Sequence, residues 1–465
     1  MEKPKDNLRM VKVTPQINFL AKFANDLLRD ERANISNELR ISLEAVLGFL
    51  TTKEAGVEKY AWDPAEALKD AVQREFGEYG GVNPSISVST TFTTMDPKTM
   101  GRLFDGDPKL MEKGCRLYGR HYHPNSVYLG KRLAAMEDME AAYPTASGMA
   151  AISVVLGQIL SSGDKVVASS NVYGGTHVFL DKILRKRGVE TTFVSPTDLK
   201  AFEEAINQEN VKVVYVETEA NPTLDIVDLP RLAEIADSKD VFLVVDNTFT
   251  PLSFTPVHLG ADVVIYSTTK FINGRSDAIG GAVCCSKQFL EHLMDLHEGE
   301  LMLNGPVMDP RSANQLNLYL NDLPLRIKAH SERALIFAER MERIYKDLKV
   351  YYPGLASHPQ HELATYMMNP QYGYGGMLSL DFGDLAKAQQ FVKNLQGLGG
   401  GLNAVSLGYF DTLLTIPAAT TSSEIDEETQ RAMGLNPGLV RISVGFTGGL
   451  ESEWEKIEKA MKLVL

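Results

Sequence analysis

Two short apolar runs near the middle of the chain each lead into residues that can do chemistry. Val241–Val245 is followed by Asp246, and Val263–Tyr266 is followed by three hydroxyl residues and Lys270. Both runs are short, rich in β-branched residues and bounded by turn signals, which favours buried strands of a parallel sheet over helices. The carboxyl ends of such strands meet at one edge, where ligands of α/β proteins bind. We therefore expect the carboxyl and the amine to share one site.

A buried carboxyl beside a hydroxyl-flanked lysine suits the cofactor pyridoxal phosphate (PLP). This cofactor needs a lysine for its covalent attachment, an acid against its pyridine nitrogen and donors for its phosphate. Taken alone, Asp246 also fits a turn or a helix cap, and Lys270 also fits a solvated lysine. The cofactor interpretation therefore depends on other segments that supply the missing groups.

Two earlier segments supply candidate phosphate and ring contacts. Thr145–Met149 places small residues before a predicted helix, and the free N–H groups and dipole of a helix N-terminus attract phosphate. Tyr173 follows the predicted strand Lys165–Ala168 on a loop with two glycines, where its ring can lie on a planar cofactor. An ordinary Ser-Gly cap and a tyrosine packed in a turn are the alternatives.

Two arginine-containing segments are open to more than one interpretation. Arg116–Asn125 (RLYGRHYHPN) is too polar for a core and fits either a site or a solvated loop. Arg441 alternates with apolar neighbours on a predicted strand, so its charge must reach water or a partner. Arginine can grip a carboxylate through two parallel hydrogen bonds, although an arginine on a half-exposed strand explains the pattern equally well.

The elements that must position these residues predict an α/β fold. Strands and helices alternate from Lys165 to Gly281, with a further strand at Val211–Val216, which indicates a mostly parallel sheet. Beyond this region, Asp322–Val350 predicts a long amphipathic helix that leads to a smaller α+β region. The predicted organisation is a helical N-terminal extension at 1–83, a cofactor-binding domain at 84–325 and a small C-terminal domain at 326–465.

Composition narrows the partners and the compartment. The net charge of −13 over 465 residues argues against a nucleic-acid partner, and no apolar run reaches the roughly 18 residues of a membrane helix. The N-terminus lacks the apolar core of a signal peptide, and it carries acids that a transit peptide avoids. Cys284 and Cys285 are interpreted as strand residues in a reducing compartment, and no His/Cys spacing resembles a metal site. We expect a cytoplasmic protein without a metal, membrane or nucleic-acid partner.

Taken together, these segments resemble the Cys/Met-metabolism PLP-dependent enzymes, the group of cystathionine γ-synthase and γ-lyase, methionine γ-lyase and O-acetylhomoserine sulfhydrylase. The resemblance covers about residues 84–465. It implies an aspartate-aminotransferase-like (fold type I) PLP domain with a mostly parallel sheet, usually in a homotetramer of dimers with shared active sites. The matching segments, in chain order, are YGR at Tyr118, ASGMAA at Ala146, YGGT at Tyr173, ETEANPT at Glu217, VVDNTF with STTKFINGRSD, YPGLASHPQH at Tyr352, and SLG with LVRISVG.

The resemblance implies a role for each matching residue. Lys270 would bond covalently to PLP and then move protons between substrate carbons, and Asp246 would pair with the pyridinium nitrogen. Tyr173 would stack on the ring and act as an acid/base near the γ leaving group. The other implied contacts are Gly148, Met149, Ser267 and Thr269 to the phosphate; Tyr118 and Arg120 to the phosphate of a neighbouring subunit; Asn221 to the phenolic oxygen; and Arg441, with Ser406 and Asn221, to the substrate α-carboxylate.

The resemblance implies γ-elimination or γ-replacement on a small homoserine- or methionine-derived amino acid. Departures from the family pattern leave the substrate side chain open: Arg275 stands where the family usually has His, His123 follows YGR, Asp411 replaces Glu, and Thr421-Ser422 replaces Thr-His. The alternatives are β-elimination from cystathionine and a catalytically silent PLP-binding homologue.

Overall fold

The predicted N-terminal extension falls largely outside the described part of the chain. Apolar residues at helical spacing predict helices at Ile17–Leu28 and Ile35–Leu50, and both segments lie outside the described residues, as does Cys115. A third predicted helix, which begins after Asp63 with Pro64 as its first residue, is present as Pro64–Asp70. The boundaries of the extension and of the two predicted domains therefore stay predictions. The computed structural model describes residues 62–72, 81–94, 96–104, 109–110, 116–420, 428, 430 and 434–465.

A seven-stranded sheet carries Asp246 at the end of one strand, and Lys270 follows the end of the next strand. Within the described residues its spatial order is β1-β7-β6-β5-β4-β2-β3, and β7 is the strand that runs antiparallel to its neighbours. The prediction of a mostly parallel sheet is confirmed. The strands are β1 (Ala141–Thr145), β2 (Lys165–Ser169), β3 (Glu190–Val194), β4 (Val211–Glu217), β5 (Phe242–Asp246), β6 (Val263–Tyr266) and β7 (Gly281–Cys285).

The central strands are apolar because both faces of this sheet are covered. Leu243 and Val245 of β5 pack into one hydrophobic core, and Phe242 and Val244 pack into a second core on the opposite face. Successive side chains of a strand point to opposite faces, so a strand covered on both sides is a continuous apolar run. The polar residue that ends β5, Asp246, is therefore delivered to the edge of the sheet.

Helices cover both faces, and many begin at a capping side chain that accepts a hydrogen bond from the first turn. Ser147, Asp228 and Asp309 cap their helices in this way, as short polar side chains do at helix N-termini. The helices are α1 (Pro64–Asp70), α2 (Pro97–Phe104), α3 (Pro124–Glu137), α4 (Gly148–Ile159), α5 (Gly174–Val178, continued by a π-helical turn at Phe179–Leu184), α6 (Leu199–Ile206), α7 (Leu229–Ser238), α8 (Lys287–Leu293), α9 (Glu300–Asn304) and α10 (Pro310–Tyr319).

A long helix, α11 (Leu323–Ile344), follows, and it is shorter than the predicted Asp322–Val350. The chain leaves the helix at Tyr345 and enters strand β8 (Lys349–Tyr351), which pairs antiparallel with β9 (Met377–Asp381). The ladder with β9 satisfies the backbone of these residues in place of further helical turns, so this end of the prediction was wrong.

The C-terminal region forms a second, five-stranded sheet with the order β10-β11-β12-β9-β8 in the described residues. The ladders of β12 with β11 and β9 are antiparallel, which agrees with the predicted α+β character. Phe391 and Trp454 bring two helices into the core of this sheet. The remaining elements are β10 (Leu402–Asn403), β11 (Leu413–Thr415), β12 (Leu439–Ser443), α12 (His361–Met367), α13 (Leu385–Gly397) and α14 (Leu450–Lys462).

Two further observations concern partners and cysteines. No helix in the described ranges is long and apolar enough to span a membrane. The same ranges contain no group of three or more His, Cys, Asp or Glu side chains arranged to hold a metal ion. Cys284 and Cys285 are buried free thiols in β7, as the sequence predicted.

Candidate active site

Lys270 and Asp246 line the same cavity, which has a volume of about 290 Å³ and lies at the carboxyl edge of the first sheet. Strand pairing places Glu217, the last residue of β4, beside Asp246, the last residue of β5. Ten of the twelve predicted site residues line the cavity: Gly148, Met149, Tyr173, Asn221, Asp246, Ser267, Thr269, Lys270, Ser406 and Arg441. The structure thus brings together groups that the sequence places up to about 290 residues apart.

The Lys270 amine lies in a largely buried position against the loop that precedes β11. Its Nζ donates to Ser406 Oγ at 3.0 Å. Burial, helped by the charge of Arg441, lowers the pKa of Lys270 to about 8. Gly408 permits this contact, because at φ +77° a Cβ there would lie 2.5 Å from the Phe271 nitrogen. A buried amine with a lowered pKa is partly neutral near physiological pH, and its neutral fraction can accept a proton.

Asp246 is held at the end of β5 by two donors. Its carboxylate accepts from Tyr215 OH at 3.2 Å and from the Thr248 backbone N–H at 3.0 Å. Burial raises its pKa above the usual range of an aspartate. Thr248 also accepts from the Ser267 backbone N–H at 2.8 Å, so it joins the ends of β5 and β6. The carboxyl is therefore fixed in place at the cavity.

Glu217 is a buried site residue that the sequence argument did not assign. Its carboxylate accepts from the backbone N–H groups of Tyr173 at 2.7 Å and Asn221 at 3.0 Å. Burial, together with the nearby charge of Asp246, raises the pKa of Glu217 to about 8. Its position offered a signal, since Glu217 ends β4 just as Asp246 ends β5.

Arg441 reaches the cavity from the second sheet. It is buried, with 3% of its surface exposed, so the alternative of a half-exposed surface arginine was wrong. Its guanidinium donates to Asn221 Oδ1 at 2.9 Å and to the Ser406 carbonyl at 3.2 Å, and burial lowers its pKa to about 10. The planar fork of an arginine held in this way can bind a carboxylate.

Ser406 serves both basic residues, and its backbone is strained. Its hydroxyl accepts from Lys270 and its carbonyl accepts from Arg441. Its φ of +104° lies in a region that residues other than glycine rarely adopt, which costs roughly 1–3 kcal/mol. Such strain is typical of functional sites, where surrounding contacts hold the residue in place.

The N-terminus of α4 packs directly against Ser267. Ser147 caps this helix by accepting from the Ala150 N–H at 3.1 Å. A Cβ at Gly148 would lie 2.7 Å from Ser267 Cβ, so only glycine allows the approach. Backbone N–H groups of the first helical turn, a serine hydroxyl and the helix dipole thus converge, as they do at phosphate sites.

Tyr173 stands at the N-cap position of α5, where 42% of it is exposed. A Cβ at Gly175 would lie 2.6 Å from the Tyr173 ring, so the glycine allows the ring to lie against the helix backbone. The exposed face of the ring borders the cavity, where it can contact a planar ligand.

The two remaining predicted residues, Tyr118 and Arg120, do not line this cavity. Tyr118 is 47% exposed, and Arg120 Nη1 donates to the Met302 carbonyl at 3.2 Å. The end of their segment is not a solvated loop, because His123 is buried and caps α3 through its Nδ1 atom.

The other positions noted as departures also lie outside the cavity lining. Arg275 Nη2 pairs with Asp322 Oδ2 at 2.6 Å, and Asp411 accepts from the Thr447 hydroxyl. Thr421 and Ser422 lie outside the described residues. Lining residues that the sequence argument did not assign are Ser147, Ile152, Glu217, Glu219, Thr248, Phe249, Val405 and Leu407.

This donor set fits PLP, because it combines an amine, a buried carboxyl, an aromatic face and a phosphate-type helix N-terminus in one cavity. A model of the family described as Cys/Met metabolism PLP-dependent enzyme matches residues 66–452. The chain belongs to this family. The match begins earlier than the predicted start at residue 84 and includes most of α1.

Curated relatives of this Cys/Met-metabolism enzyme carry several activities. Methionine γ-lyase of Arabidopsis thaliana is 46% identical, over 88% of this chain and 93% of the relative. Cystathionine γ-lyase of Bacillus subtilis is 38% identical, over 71% and 84%. O-succinylhomoserine sulfhydrylase of Pseudomonas aeruginosa is 37% identical, over 71% and 80%.

Solved structures give the same fold. Cystathionine γ-lyase from Lactobacillus plantarum, complexed with L-serine, matches with a TM-score of 0.77 at 28% identity, covering 87% of this chain and 99% of that one. Cystathionine γ-synthase from Xanthomonas oryzae, in complex with cystathionine, matches with a TM-score of 0.77 at 30% identity, covering 86% and 98%. The predicted fold type I architecture and the PLP dependence are confirmed.

Proposed function

We propose that this Cys/Met-family enzyme eliminates or replaces the γ substituent of a methionine- or homoserine-derived amino acid. One observation carries the proposal: the Lys270 amine, the Asp246 carboxyl and the Arg441 guanidinium line one cavity. The amine suits proton transfer, the carboxyl suits a partner for the ring nitrogen, and the guanidinium suits binding of the substrate carboxylate. The names of the relatives support chemistry at the γ-carbon.

The residues that would hold the cofactor follow several strands of the first sheet, at its carboxyl edge. When bound, PLP supplies an electron sink for the negative charge that develops beside the substrate amino group. Asp246 would pair with the ring nitrogen, Tyr173 would face the ring, and Asn221 would bind the phenolic oxygen. Gly148, Met149, Ser267 and Thr269 would hold the phosphate.

Different protein groups would bind the substrate and transfer its protons. Arg441, supported by Ser406 and Asn221, would hold the α-carboxylate and so orient the α-hydrogen. Lys270 Nζ would take the α-proton and a β-proton in turn, and Tyr173 would protonate the departing γ group. The same proton transfers serve elimination and replacement, because the two reactions differ only in what next meets the unsaturated product.

The reaction class that we favour is a lyase acting on methionine, with sulfhydrylase chemistry as the related replacement. In the lyase reaction the Cγ–S bond breaks, and methionine and water give methanethiol, 2-oxobutanoate and ammonia. The methionine γ-lyase relative, at 46% identity, supports this choice.

We also propose a cytoplasmic homotetramer built from dimers that share active sites. Tyr118 and Arg120 would complete the phosphate site of the neighbouring subunit. The positions of Tyr118 and Arg120 support this assembly, because both are predicted phosphate ligands and neither lines the cavity of its own chain.

A turnover screen tests the proposed function. The purified protein is assayed with methionine, cystathionine, cysteine and O-acylhomoserines, with and without sulfide, and its products are identified. We expect 2-oxobutanoate from methionine. Pyruvate from cystathionine, without 2-oxobutanoate, would instead establish β-elimination. Bound PLP without turnover of any of these compounds would establish a silent homologue.

A lysine variant tests the site. We expect Lys270→Ala to lose both turnover and the visible absorption band of the bound cofactor. Lys328→Ala, an exposed position on α11, is the control and should retain both. Turnover by Lys270→Ala at the rate of the control would contradict the assignment.

A further inference from the structure

One face of α11 carries three side chains that donate hydrogen bonds: Arg326, His330 and Arg333. Their spacing of four and then three residues places them on one side of the helix. We propose that these residues, the donor stripe, are positioning residues that set the location of Lys270 relative to Arg441. The inference rests on the proposed roles of Lys270 and Arg441.

Arg326 holds the backbone that directly follows Lys270. Its Nη1 donates to the Phe271 carbonyl at 2.5 Å, and its Nη2 donates to the Ile272 carbonyl at 3.0 Å. The same guanidinium donates to the Tyr319 carbonyl at 3.0 Å and to Asp322 Oδ1 at 2.9 Å. Four donated bonds from a planar, nearly buried group leave the lysine turn little freedom to move.

The loop after the lysine is shaped to admit this guanidinium. At Gly274, where φ is +69°, a Cβ would lie 2.2 Å from Arg326 Nη1. The next residue, Arg275, pairs with Asp322 and stacks on the Tyr319 ring at 3.9 Å from its centroid. Arg275 thus ties the same loop to the start of α11, which gives this departure from the family pattern a structural role outside the cavity.

The other two members of the stripe hold the segment that follows Arg441. His330 Nδ1 lies 2.6 Å from the Val444 carbonyl, and since a carbonyl only accepts, the histidine donates. Arg333 donates to the carbonyls of Thr447 and Gly448, the latter at 2.8 Å. These acceptors begin three residues after Arg441, directly beyond the end of β12.

His330 contacts both the turn that follows Lys270 and the segment that follows Arg441. It is fully buried, and its ring meets the Phe271 ring edge-on at a centroid distance of 5.1 Å. The lysine turn and the arginine strand are therefore attached to neighbouring turns of one helix. A substrate bridging Lys270 and Arg441 needs that separation to be correct, and a misplacement of about 1 Å can cost about a hundredfold in rate.

The decisive variant is Arg326→Met, which keeps an unbranched side chain and removes all four donated bonds. Rates are measured on the compound that the wild-type enzyme turns over fastest in the screen, and kcat is divided by the PLP content of each preparation. We expect kcat per bound PLP to fall about tenfold to a hundredfold, with KM changed less than about threefold.

His330 provides a second test, in which KM changes instead of kcat. His330→Leu removes the bond to the Val444 carbonyl, so the Arg441 strand shifts and KM should rise about tenfold. His330→Asn can restore a donor near the Nδ1 position, and its KM should return to within about threefold of the wild-type value. A high KM in both variants, or in neither, would contradict the role of His330 in the stripe.

Arg340→Met is the matched control, because Arg340 lies on the same helix and pairs with Glu451 of α14, away from the cavity. It should leave kcat per bound PLP unchanged. Unchanged kcat per bound PLP in Arg326→Met would overturn the inference, even if the variant were less stable. If that variant does not fold, Arg326→Lys decides: its single nitrogen cannot reproduce the fork, so a wild-type value there would also overturn it.

The Lys270→Ala and Arg326→Met variants together distinguish failure of the donor stripe's positioning role from failure of the proposed function. Turnover that survives in Lys270→Ala removes the proposed function. Loss of turnover in Lys270→Ala, combined with normal kcat per bound PLP in Arg326→Met, removes the inference alone.

Discussion

At the scale of single residues, the two adjacent carboxyls of Glu217 and Asp246 do different work. Both are buried, and burial raises both pKa values. The Glu217 carboxylate accepts from the backbone N–H groups of Tyr173 and Asn221, so it acts on the reaction through the residues that it holds. Asp246, held by a tyrosine hydroxyl and a backbone N–H, is the carboxyl available to a cofactor.

Glu217→Gln should lower kcat/KM about tenfold to a hundredfold. Glutamine keeps one acceptor oxygen, so its amide group would face one of two backbone donors, and a lost bond of this kind costs about 1–3 kcal/mol. Steady-state kinetics with methionine at about pH 9, where the Glu217 carboxyl is ionised and accepts from both donors, measure the change. Glu203→Gln, an exposed site on α6, is the control. A Glu217→Gln enzyme within twofold of this control would show that the two bonds do not position the site.

The lowered pKa of Lys270 predicts an acid limit to turnover. Burial disfavours the ammonium form, so the amine is mostly neutral above about pH 8 and mostly protonated below it. Only the neutral amine can accept a proton. We therefore expect kcat at saturating substrate to fall about tenfold per pH unit below that value.

The measurement is kcat between about pH 6 and pH 9, with cofactor absorbance followed to confirm that PLP remains bound. A kcat that stays constant down to pH 6 would show that Lys270 does not limit the reaction as a base.

At the scale of elements, the site depends on a helix end and a strand end that nearly touch. The N-terminus of α4 approaches the turn after β6 so closely that no side chain fits at Gly148. Under the proposed function, this approach allows backbone N–H groups and the Ser267 hydroxyl to face one phosphate.

Gly148→Ala should weaken PLP binding about tenfold or more. The added methyl group would overlap Ser267, and overpacking of this kind costs about 1–3 kcal/mol. Fluorescence titration of the cofactor-free protein with PLP measures the dissociation constant. Gly101→Ala on α2 is the control, since a Cβ there meets nothing within 4 Å. Equal PLP affinity in the two variants would place the phosphate elsewhere.

At the scale of the whole molecule, the cavity is a joint product of two sheets. Lys270 and Asp246 come from the first sheet, and Arg441 comes from β12 of the second. Under the proposed assembly, a second copy adds Tyr118 and Arg120, so that no single chain would hold a complete site.

Shared sites predict that two inactive chains restore each other. Lys270→Ala and Arg120→Ala chains, co-expressed with different tags, should together recover roughly a quarter of wild-type activity. Half of the dimers are then mixed, and each mixed dimer has one intact site of two. Co-expressed Lys270→Ala and Asp246→Asn chains are the control and should recover nothing, because both residues line the cavity of one chain. Equal recovery in the two pairs would exclude sharing.

Local patterns in the sequence were enough to predict the strand ends of the first sheet. The apolar runs before Asp246 and Lys270 favoured buried strands over helices, and the carboxyl ends of parallel strands meet at one edge. The Ser-Gly cap of α4 and the small residues around it were predictable for the same reason, since caps depend on neighbouring residues alone.

Contacts between distant segments were not predictable in this way. Arg441 and Asn221 are 220 residues apart, and Arg326 lies 55 residues from the carbonyl of Phe271 that it holds. Periodicity tells which face of an element is buried, but it carries no information on which remote segment covers that face. The sequence alone therefore determined the lysine, the acid and the edge that they share. Only tertiary packing decided that Arg441 faces them, that Arg275 does not, and that α11 contacts both the turn after Lys270 and the segment after Arg441.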